Sequence, residues 1–389
     1  MNTKRVIQME KEFIMYTYER AEVVFEKGSG CYLYDTDGKR YLDFIGGIAT
    51  ASLGHGSSII SEVLYAQSKR LISSSNLFYM QEQAVLAEKL AKISGLNACF
   101  FSNSGAESVE TAIKLARKYT GKHEIISTEG AFHGRTLGAL SVTWKENFRK
   151  PFEPLVPGMM FIPYNNTSAL EDSISDNTAA FIIEPVQGEG GIYLPDKGYL
   201  REVKRICKER NCLLIVDEIQ TNMRTGKFFA YQHESINPDI VTVAKGIGGG
   251  MPIGITIANK DVAGAFQPGD HGSTFGGNSL SCASASAVID YVIKNKLVEK
   301  AGITGKYFME ELIKLQKKYI VIKEVRGKGI MIGIELNTYA KPIVNKCLAK
   351  GLLVNKCGDF VLRFLPPLIV DKEEIDKCVE ILDAVFKEL

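Results

Sequence analysis

The sequence predicts an α/β fold, with a large domain built on a mixed, mostly parallel sheet flanked by helices and a small α+β domain beside it. Three observations carry this. Short apolar runs bounded by polar residues or glycine recur at Ala98–Phe101, Ala179–Ile183, Leu213–Val216 and Ile240–Ala244, the signature of strands buried on both faces. Segments of helical periodicity lie between or before them, at Ile59–Leu71, Gln81–Ile93, Ser108–Tyr119 and Tyr199–Arg210. Near residue 295 the pattern changes to a charged helical stretch, Lys296–Tyr319. Strands at Ile320–Val325, Met331–Glu335 and Val361–Phe364 and a final helix at Lys372–Leu389 then complete the smaller unit. At 389 residues and 45% hydrophobic content, two cores are affordable. The expected division is 51–294 for the large domain and 295–389 for the small one, with 1–50 counted to the small domain.

In chain order, Val23–Asp43 is strand broken by Gly28-Ser29-Gly30 and Asp35-Thr36-Asp37-Gly38, a small meander or hairpin. The small-residue stretch from Gly46 to His55 suits close approach by a ligand or a second subunit. Ala98–Phe101 runs through Ser102-Asn103-Ser104-Gly105-Ala106-Glu107 into a helix. That junction offers backbone N–H groups and a helix dipole to a phosphate, or it is an ordinary cap in which Ser104 and Glu107 form a capping box. Glu124–Ser127 is a further strand. After it, an aromatic and an arginine, Phe132 and Arg135, sit among glycines, where they either pack and solvate normally or stack on a flat ligand and grip a carboxylate. Glu184 to Gly191, with its acids and glycines, reads as the lip of a site. Ile253–Ala258 is a strand, His271–Asn278 a hydroxyl- and glycine-rich loop, and a small-residue helix begins at Leu280.

The chemistry concentrates between Leu213 and Met251. One apolar run ends in Asp217, the next in Lys245-Gly246, so two strands deliver an acid and an amine to one edge of the sheet. Each residue has an ordinary reading, the Asp as a cap or turn residue and the Lys as a solvated charge. Together they suggest pyridoxal 5′-phosphate (PLP). A partly desolvated lysine favours the neutral amine that a Schiff base requires, and a carboxylate keeps the pyridine nitrogen protonated.

Other classes are disfavoured. The net charge of +2 and the lack of a basic stripe speak against nucleic acid, and no apolar run reaches the length of a membrane span. The N-terminal stretch has no signal-peptide pattern, so a cytoplasmic location is expected. Eight scattered cysteines read as reduced core thiols, and five isolated histidines give no metal-ligand spacing. The helix start at Ser104 is not a dinucleotide fingerprint.

The motifs YLDFIGGIA, FFSNSGAESVETAIKLARKYTG, AFHGRTLGALSVT, EPVQGEGG, DEIQT, TVAKGIGGGMPIG, HGSTFGGN and LRFLPP occur in one order along almost the whole chain. In this the chain resembles the class III (subgroup II) PLP-dependent aminotransferases, and within them the acetylornithine group more than the ornithine or 4-aminobutyrate groups. The resemblance implies PLP-dependent transferase fold type I and a homodimer with composite sites. It also implies transfer of the terminal amino group of an acylated ornithine, N2-acetyl-L-ornithine above all, to 2-oxoglutarate, an arginine-biosynthetic step. Lys245 is then the lysine bonded to PLP and the proton shuttle, Asp217 the partner of the pyridinium, Gln220 the donor to the phenolic oxygen and Phe132 the stacking ring. Gly105 and Ala106 lie at the phosphate, joined by Thr274 from the partner subunit. Arg363 grips the α-carboxylate of glutamate and pairs with Glu189 when the amine occupies the site. Arg135, assisted by Ser273, binds the α-carboxylate of the acylated ornithine.

Two segments depart from the family pattern. Where the family has Gly-Met-Gly-Arg-Thr-Gly, Asn222-Met223-Arg224-Thr225-Gly226 is one residue shorter, with Asn222 suited to a left-handed conformation and Arg224 open to displacement. Gly54-His55-Gly56-Ser57-Ser58 lacks the second His and the Pro of the family run, so local loop changes are expected at the site edge or dimer interface. Competing readings are transfer from another ω-amine (succinylornithine, ornithine, 4-aminobutyrate or a carrier-linked lysine), an aminomutase or racemase, and a silent dimeric scaffold. The Glu189–Arg363 switch argues against the mutase, and intact Lys245 and Asp217 against the scaffold.

Overall fold

A computed structural model describes residues 2–389. Seven strands hydrogen-bond in the spatial order Ala98–Ser102, Gly254–Ala258, Ile240–Val243, Leu213–Asp217, Thr178–Ile183, Glu124–Thr128 and Met159–Ile162. All are parallel except Gly254–Ala258, which runs against both neighbours. Every residue of the four strands from Thr178–Ile183 to Gly254–Ala258 in that order is buried, which explains their unbroken apolar runs. Side chains alternate between two cores. Leu213 and Ile215 join the side packed by Val109, Ala112, Ile113 and Ala116 of the Gly105–Thr120 helix. Leu214 and Val216 join the side of Leu200, Val203 and Ile206 from the Tyr199–Glu209 helix.

Two four-stranded sheets complete the fold. Phe25–Ser29, Tyr32–Asp35 and Arg40–Asp43 form the expected antiparallel meander, and Leu352–Leu353 adds to it in parallel, tying the two ends of the chain together. Ile322–Lys328, Met331–Leu336, Val361–Phe364 and Asn355–Cys357 form an antiparallel sheet. Phe44, Phe308 and Phe364 join these parts edge to face, with centroids 5.4, 5.5 and 6.5 Å apart. Among the described residues no helix is long and apolar enough to cross a membrane.

The structure departs from the sequence expectations in a few places. The helix predicted over Ser108–Tyr119 begins at Gly105, because Ser104 is the cap: its Oγ accepts from Glu107 N at 3.2 Å. The Glu107 carboxylate meanwhile takes Asn103 N at 2.6 Å, one residue outside a standard capping box. The sequence reading gave no element to Thr3–Phe13, Met159–Ile162, Thr167–Ser173 or Ala340–Ala349. Met159–Ile162 is a four-residue edge strand, and Ala340–Ala349 carries Pro342, which a helix tolerates only in its first turn. The small-residue stretch closes on its own chain. Gly46, Gly47, Ile48 and Ala49 all have positive φ, a left-handed turn whose Ala49 carbonyl lies against Gly246.

Replacing Phe308 by alanine removes the ring that makes the two closer of the three aromatic contacts. The expected loss is about 3–5 kcal/mol of stability, measured by urea unfolding followed through far-UV circular dichroism.

Candidate active site

Parallel pairing of Leu213–Asp217 with Ile240–Val243 sets Asp217 opposite Thr242, so the two strands end side by side. Asp217 and, three residues beyond Thr242, Lys245 line one cavity of about 470 Å³ at that edge. Asp217 is buried. Its Oδ2 accepts from His133 Nδ1 at 2.7 Å and its Oδ1 from Ile219 N at 2.9 Å. His133 is itself buried, and burial alone would drive off its proton, but the bond and charge of Asp217 outweigh this and raise its pKa. Burial acts unopposed enough at Lys245 to push its pKa down to about 8, helped by the Arg363 charge and resisted by Glu189 and Asp217. Lys245 also holds a positive φ of 52°, uncommon outside glycine.

The cavity wall from Ser104 to Ala106 is the N-terminus of the Gly105–Thr120 helix. The N–H groups of Gly105 and Ala106 donate to no acceptor among the described residues, as expected for a first turn open to an anion. A Cβ on Gly105 would stand 2.8 Å from Ile219 Cδ1, so glycine keeps this wall clear. Across the cavity run Phe132, His133, Gly134 and Arg135. The Arg135 guanidinium lies 3.6 Å from the Phe148 ring centroid and 5.6 Å from that of Phe132. Buried Glu184 accepts from Phe132 N at 3.0 Å and Gly188 N at 3.1 Å, joining the aromatic wall to the glycine-rich lip, and burial pushes its pKa up to about 7.

That lip carries Glu189, whose carboxylate forms an ion pair with fully buried Arg363. Gln220 bridges the pair, accepting from Arg363 Nη1 at 3.2 Å and donating to Glu189 Oε1 at 3.5 Å, while Asn355 Oδ1 takes Arg363 Nε at 3.3 Å. Burial would raise the Glu189 pKa, but the Arg363 charge overrides it and holds it down. Arg363 thus stands behind Glu189, one side chain away from the cavity.

Of the residues expected in the site, Lys245, Asp217, Glu189, Gly105, Ala106, Phe132, Gln220 and Arg135 line this cavity and Arg363 backs it. Thr274 and Ser273 do not line it. Thr274 is exposed, and Ser273 accepts from Asn103 Nδ2 at 3.1 Å and Gly276 N at 3.0 Å rather than meeting Arg135 within one chain. The left-handed residue of the shortened loop is Met223, at φ 65°, not Asn222. Asn222 turns inward because its amide finds carbonyl acceptors there. Arg224 is not displaced to the surface. It is buried, with Nη1 3.4 Å from Pro366 O and Nη2 3.3 Å from Ala49 O, and burial holds its pKa down to about 10. Sequence reasoning missed His133 as a site residue and placed Glu184 in the lip of the site without a role of its own. The only signal for His133 was its place beside Phe132, since the partner that matters lies 84 residues away.

An amine with a lowered pKa, a buried carboxylate with a histidine behind it, an aromatic wall and an open helix N-terminus together suit a flat aldehyde carrying a phosphate. Among the described residues no group of three or more His, Cys, Asp or Glu side chains is placed to hold a metal ion.

Comparison with known proteins agrees with this chemistry. The model of the family "Aminotransferase class-III" matches residues 15–386. The chain is 48% identical to an acetylornithine aminotransferase of Methanocaldococcus jannaschii, over the full length of both chains. It is 45% identical to that of Methanothermobacter thermautotrophicus, again over both full lengths. Among solved structures it superposes on the ornithine aminotransferase of Toxoplasma gondii with TM-score 0.96 at 32% identity, covering 100% of this chain and 96% of that one. On the acetylornithine aminotransferase of Elizabethkingia anophelis the TM-score is 0.90 at 34% identity, with both chains fully covered. A mostly parallel sheet ending in an acid and an amine, matched along nearly its whole length, makes this chain a member of the class-III aminotransferases, PLP-dependent enzymes.

Proposed function

We propose that this protein moves the terminal amino group of N2-acetyl-L-ornithine to 2-oxoglutarate, giving N-acetyl-L-glutamate 5-semialdehyde and L-glutamate in a two-stage cycle. The observation that carries the reading is the pair of half-buried Glu189 and buried Arg363 in the same site as Lys245 and Asp217. A cycle that alternates an amine with a dicarboxylate needs a cation that is cancelled in one stage and free in the other. The acylated substrate is favoured over free ornithine by the relatives at 45–48% identity, which are acetylornithine aminotransferases.

Lys245 would hold PLP through its amine, Asp217 its ring nitrogen, Phe132 its face, Gln220 its phenolic oxygen and the N–H groups of Gly105 and Ala106 its phosphate. When bound, the cofactor supplies an electron sink for the charge left at the carbon that loses a proton. The protein does the rest. Lys245, its amine pushed down to about 8 by burial, would take that proton and return it to the cofactor carbon on the far side of the transferred nitrogen. His133 fixes the orientation of Asp217 and balances its charge. Glu189 swings from Arg363 when the substrate brings its own carboxylate, so bidentate pairing passes from protein to substrate. Arg135, stacked on Phe148 at the mouth, is placed to take the α-carboxylate of the acylated amine.

Thr274 reaches a site only if a second copy supplies it, which supports a homodimer. Asn76 Nδ2 donates to Ser273 O and Gly276 O at 2.9 Å, so the exposed Leu77, Phe78 and Tyr79 share a face with Thr274 and the exposed Phe275. A face that apolar suits burial against a partner.

The direct test mixes the PLP-loaded protein singly with N-acetylornithine, succinylornithine, ornithine and 4-aminobutyrate and follows the cofactor absorbance. Rapid conversion by N-acetylornithine, reversed by 2-oxoglutarate, is expected; conversion by another amine alone refutes the assigned substrate. Lys245→Ala should lower kcat by about a hundredfold to ten-thousandfold or more while PLP still binds. Glu189→Ala should shift the ratio of kcat/KM values toward glutamate and away from the acylated amine by at least about tenfold, because Arg363 is left uncompensated. In PLP-free protein, competitive acetylation read by mass spectrometry should label Lys245 with a midpoint near pH 8, against about 10.4 for an ordinary lysine.

A further inference from the structure

The segment that carries Lys245 is a 3₁₀ turn, Lys245–Gly248, whose own hydrogen bonds are long. Ile247 N reaches Ala244 O at 3.4 Å, Gly249 N reaches Gly246 O at 3.2 Å and Met251 N reaches Gly248 O at 3.1 Å. Each of those carbonyls also accepts from a buried polar side chain, and each time that contact is the shorter one. Asn222 Nδ2 donates to Ala244 O at 3.2 Å, Ser52 Oγ to Gly246 O at 2.6 Å and Ser284 Oγ to Gly248 O at 2.9 Å. The three side chains come from distant parts of the chain, and all are buried.

The two carbonyls that bracket Lys245 are therefore both held from outside. Asn222 grips the one before it and also ties to Glu218 O at 2.7 Å and Ile219 O at 3.1 Å, in the turn that follows Asp217. Ser52 grips the one after it, from just beyond the left-handed Gly46–Ala49 turn, whose Ala49 carbonyl would stand 3.1 Å from a Cβ on Gly246. A non-glycine residue at φ 52° is a conformation that persists only when its surroundings over-determine it. Released, the residue would relax toward negative φ, its Cα–Cβ bond would swing, and a four-carbon side chain would carry that rotation to its amine.

We propose that Ser52 and Asn222 are positioning residues that clamp the carbonyls of the two residues flanking Lys245, in the Ala244–Lys245 and Gly246–Ile247 peptide groups, and so fix where its Nζ points. Asn222 also fixes that direction relative to Asp217, because the same amide binds both turns. This accounts for an asparagine in the shortened loop: it bonds across to the lysine turn, and the next residue, Met223, takes the positive φ. The proposal rests on the reading of Lys245 as the lysine that bonds PLP.

The test uses the PLP-loaded protein and the single variants Ser52→Ala and Asn222→Ala. Borohydride reduction followed by peptide mapping first identifies the lysine that carries PLP. The cofactor absorbance is then titrated against pH, and kcat and KM are measured with the amine substrate. The clamp predicts that reduction marks Lys245 in all three proteins, that the absorbance midpoint moves in both variants, and that kcat falls by about tenfold to a hundredfold with KM little changed. Ser52→Ala removes one oxygen from a packed chain and carries the test alone if Asn222→Ala does not fold. An unmoved midpoint and an unmoved kcat, with only a lower Tm, overturn the clamp while leaving Lys245 as the PLP lysine. Reduction that marks a different lysine overturns the underlying reading and the clamp with it.

Discussion

The pairing of Leu213–Asp217 with Ile240–Val243 is the contact on which the site depends. Both strands are buried on both faces, so their register is fixed by packing on two sides at once. A slip of one residue would turn Asp217 from the cavity into one of the flanking cores. The same slip would move Lys245 away from it and bury a carboxylate without His133. The sheet therefore does more than support the site, because the hydrogen bonds that build it also set the distance between the acid and the amine.

Once those groups are in place, charge balance decides the rest. The cavity and its walls gather Lys245, His133, Arg363 and Arg135 against Asp217, Glu189 and Glu184. Buried charges of this kind are tolerated only when paired and hydrogen-bonded. Asp217 is paired with His133, Glu189 with Arg363, and burial keeps the Glu184 proton on up to about pH 7. Lys245 is left with no dedicated counter-charge among the described residues, and so its amine loses its proton more readily than an ordinary lysine does. A lysine in a full ion pair would hold its proton and be inert as a nucleophile or base.

Most of this was legible in the sequence where the signal was local. Asp217 and Lys245 each close an apolar run, and the alternation of such runs with helices places them on one sheet edge without any knowledge of contacts. Ser104 was legible as a cap for the Gly105–Thr120 helix, although the helix itself was expected to start three residues later, at Ser108. What resisted reading was long-range. His133 reads as one residue of a glycine-rich loop until the fold sets it against Asp217, and Glu184 reads only as one acid of the site's lip until its backbone partners at Phe132 and Gly188 are known. Asn222 was judged by its tolerance of positive φ, a local property. Its amide's acceptors are set by the neighbouring strand, and that tertiary demand prevailed.

Glycine makes the lysine turn possible and also leaves it loose. The run from Gly246 to Gly250 lets the chain pass close beneath the left-handed turn at Gly46–Ala49, where larger side chains would collide. Such a run has little intrinsic preference for one conformation and surrenders the most entropy when it is fixed. Its backbone bonds, at 3.1 to 3.4 Å, are weak restraints on a residue that is itself at positive φ. Further order is imported through buried side-chain donors, Ser52 at 2.6 Å, Ser284 at 2.9 Å and Asn222 at 3.2 Å, two of them on the carbonyls of the residues flanking Lys245. A flexible lysine can thus be aimed without surrounding its amine with partners, which would have cost it the lowered pKa that its chemistry requires.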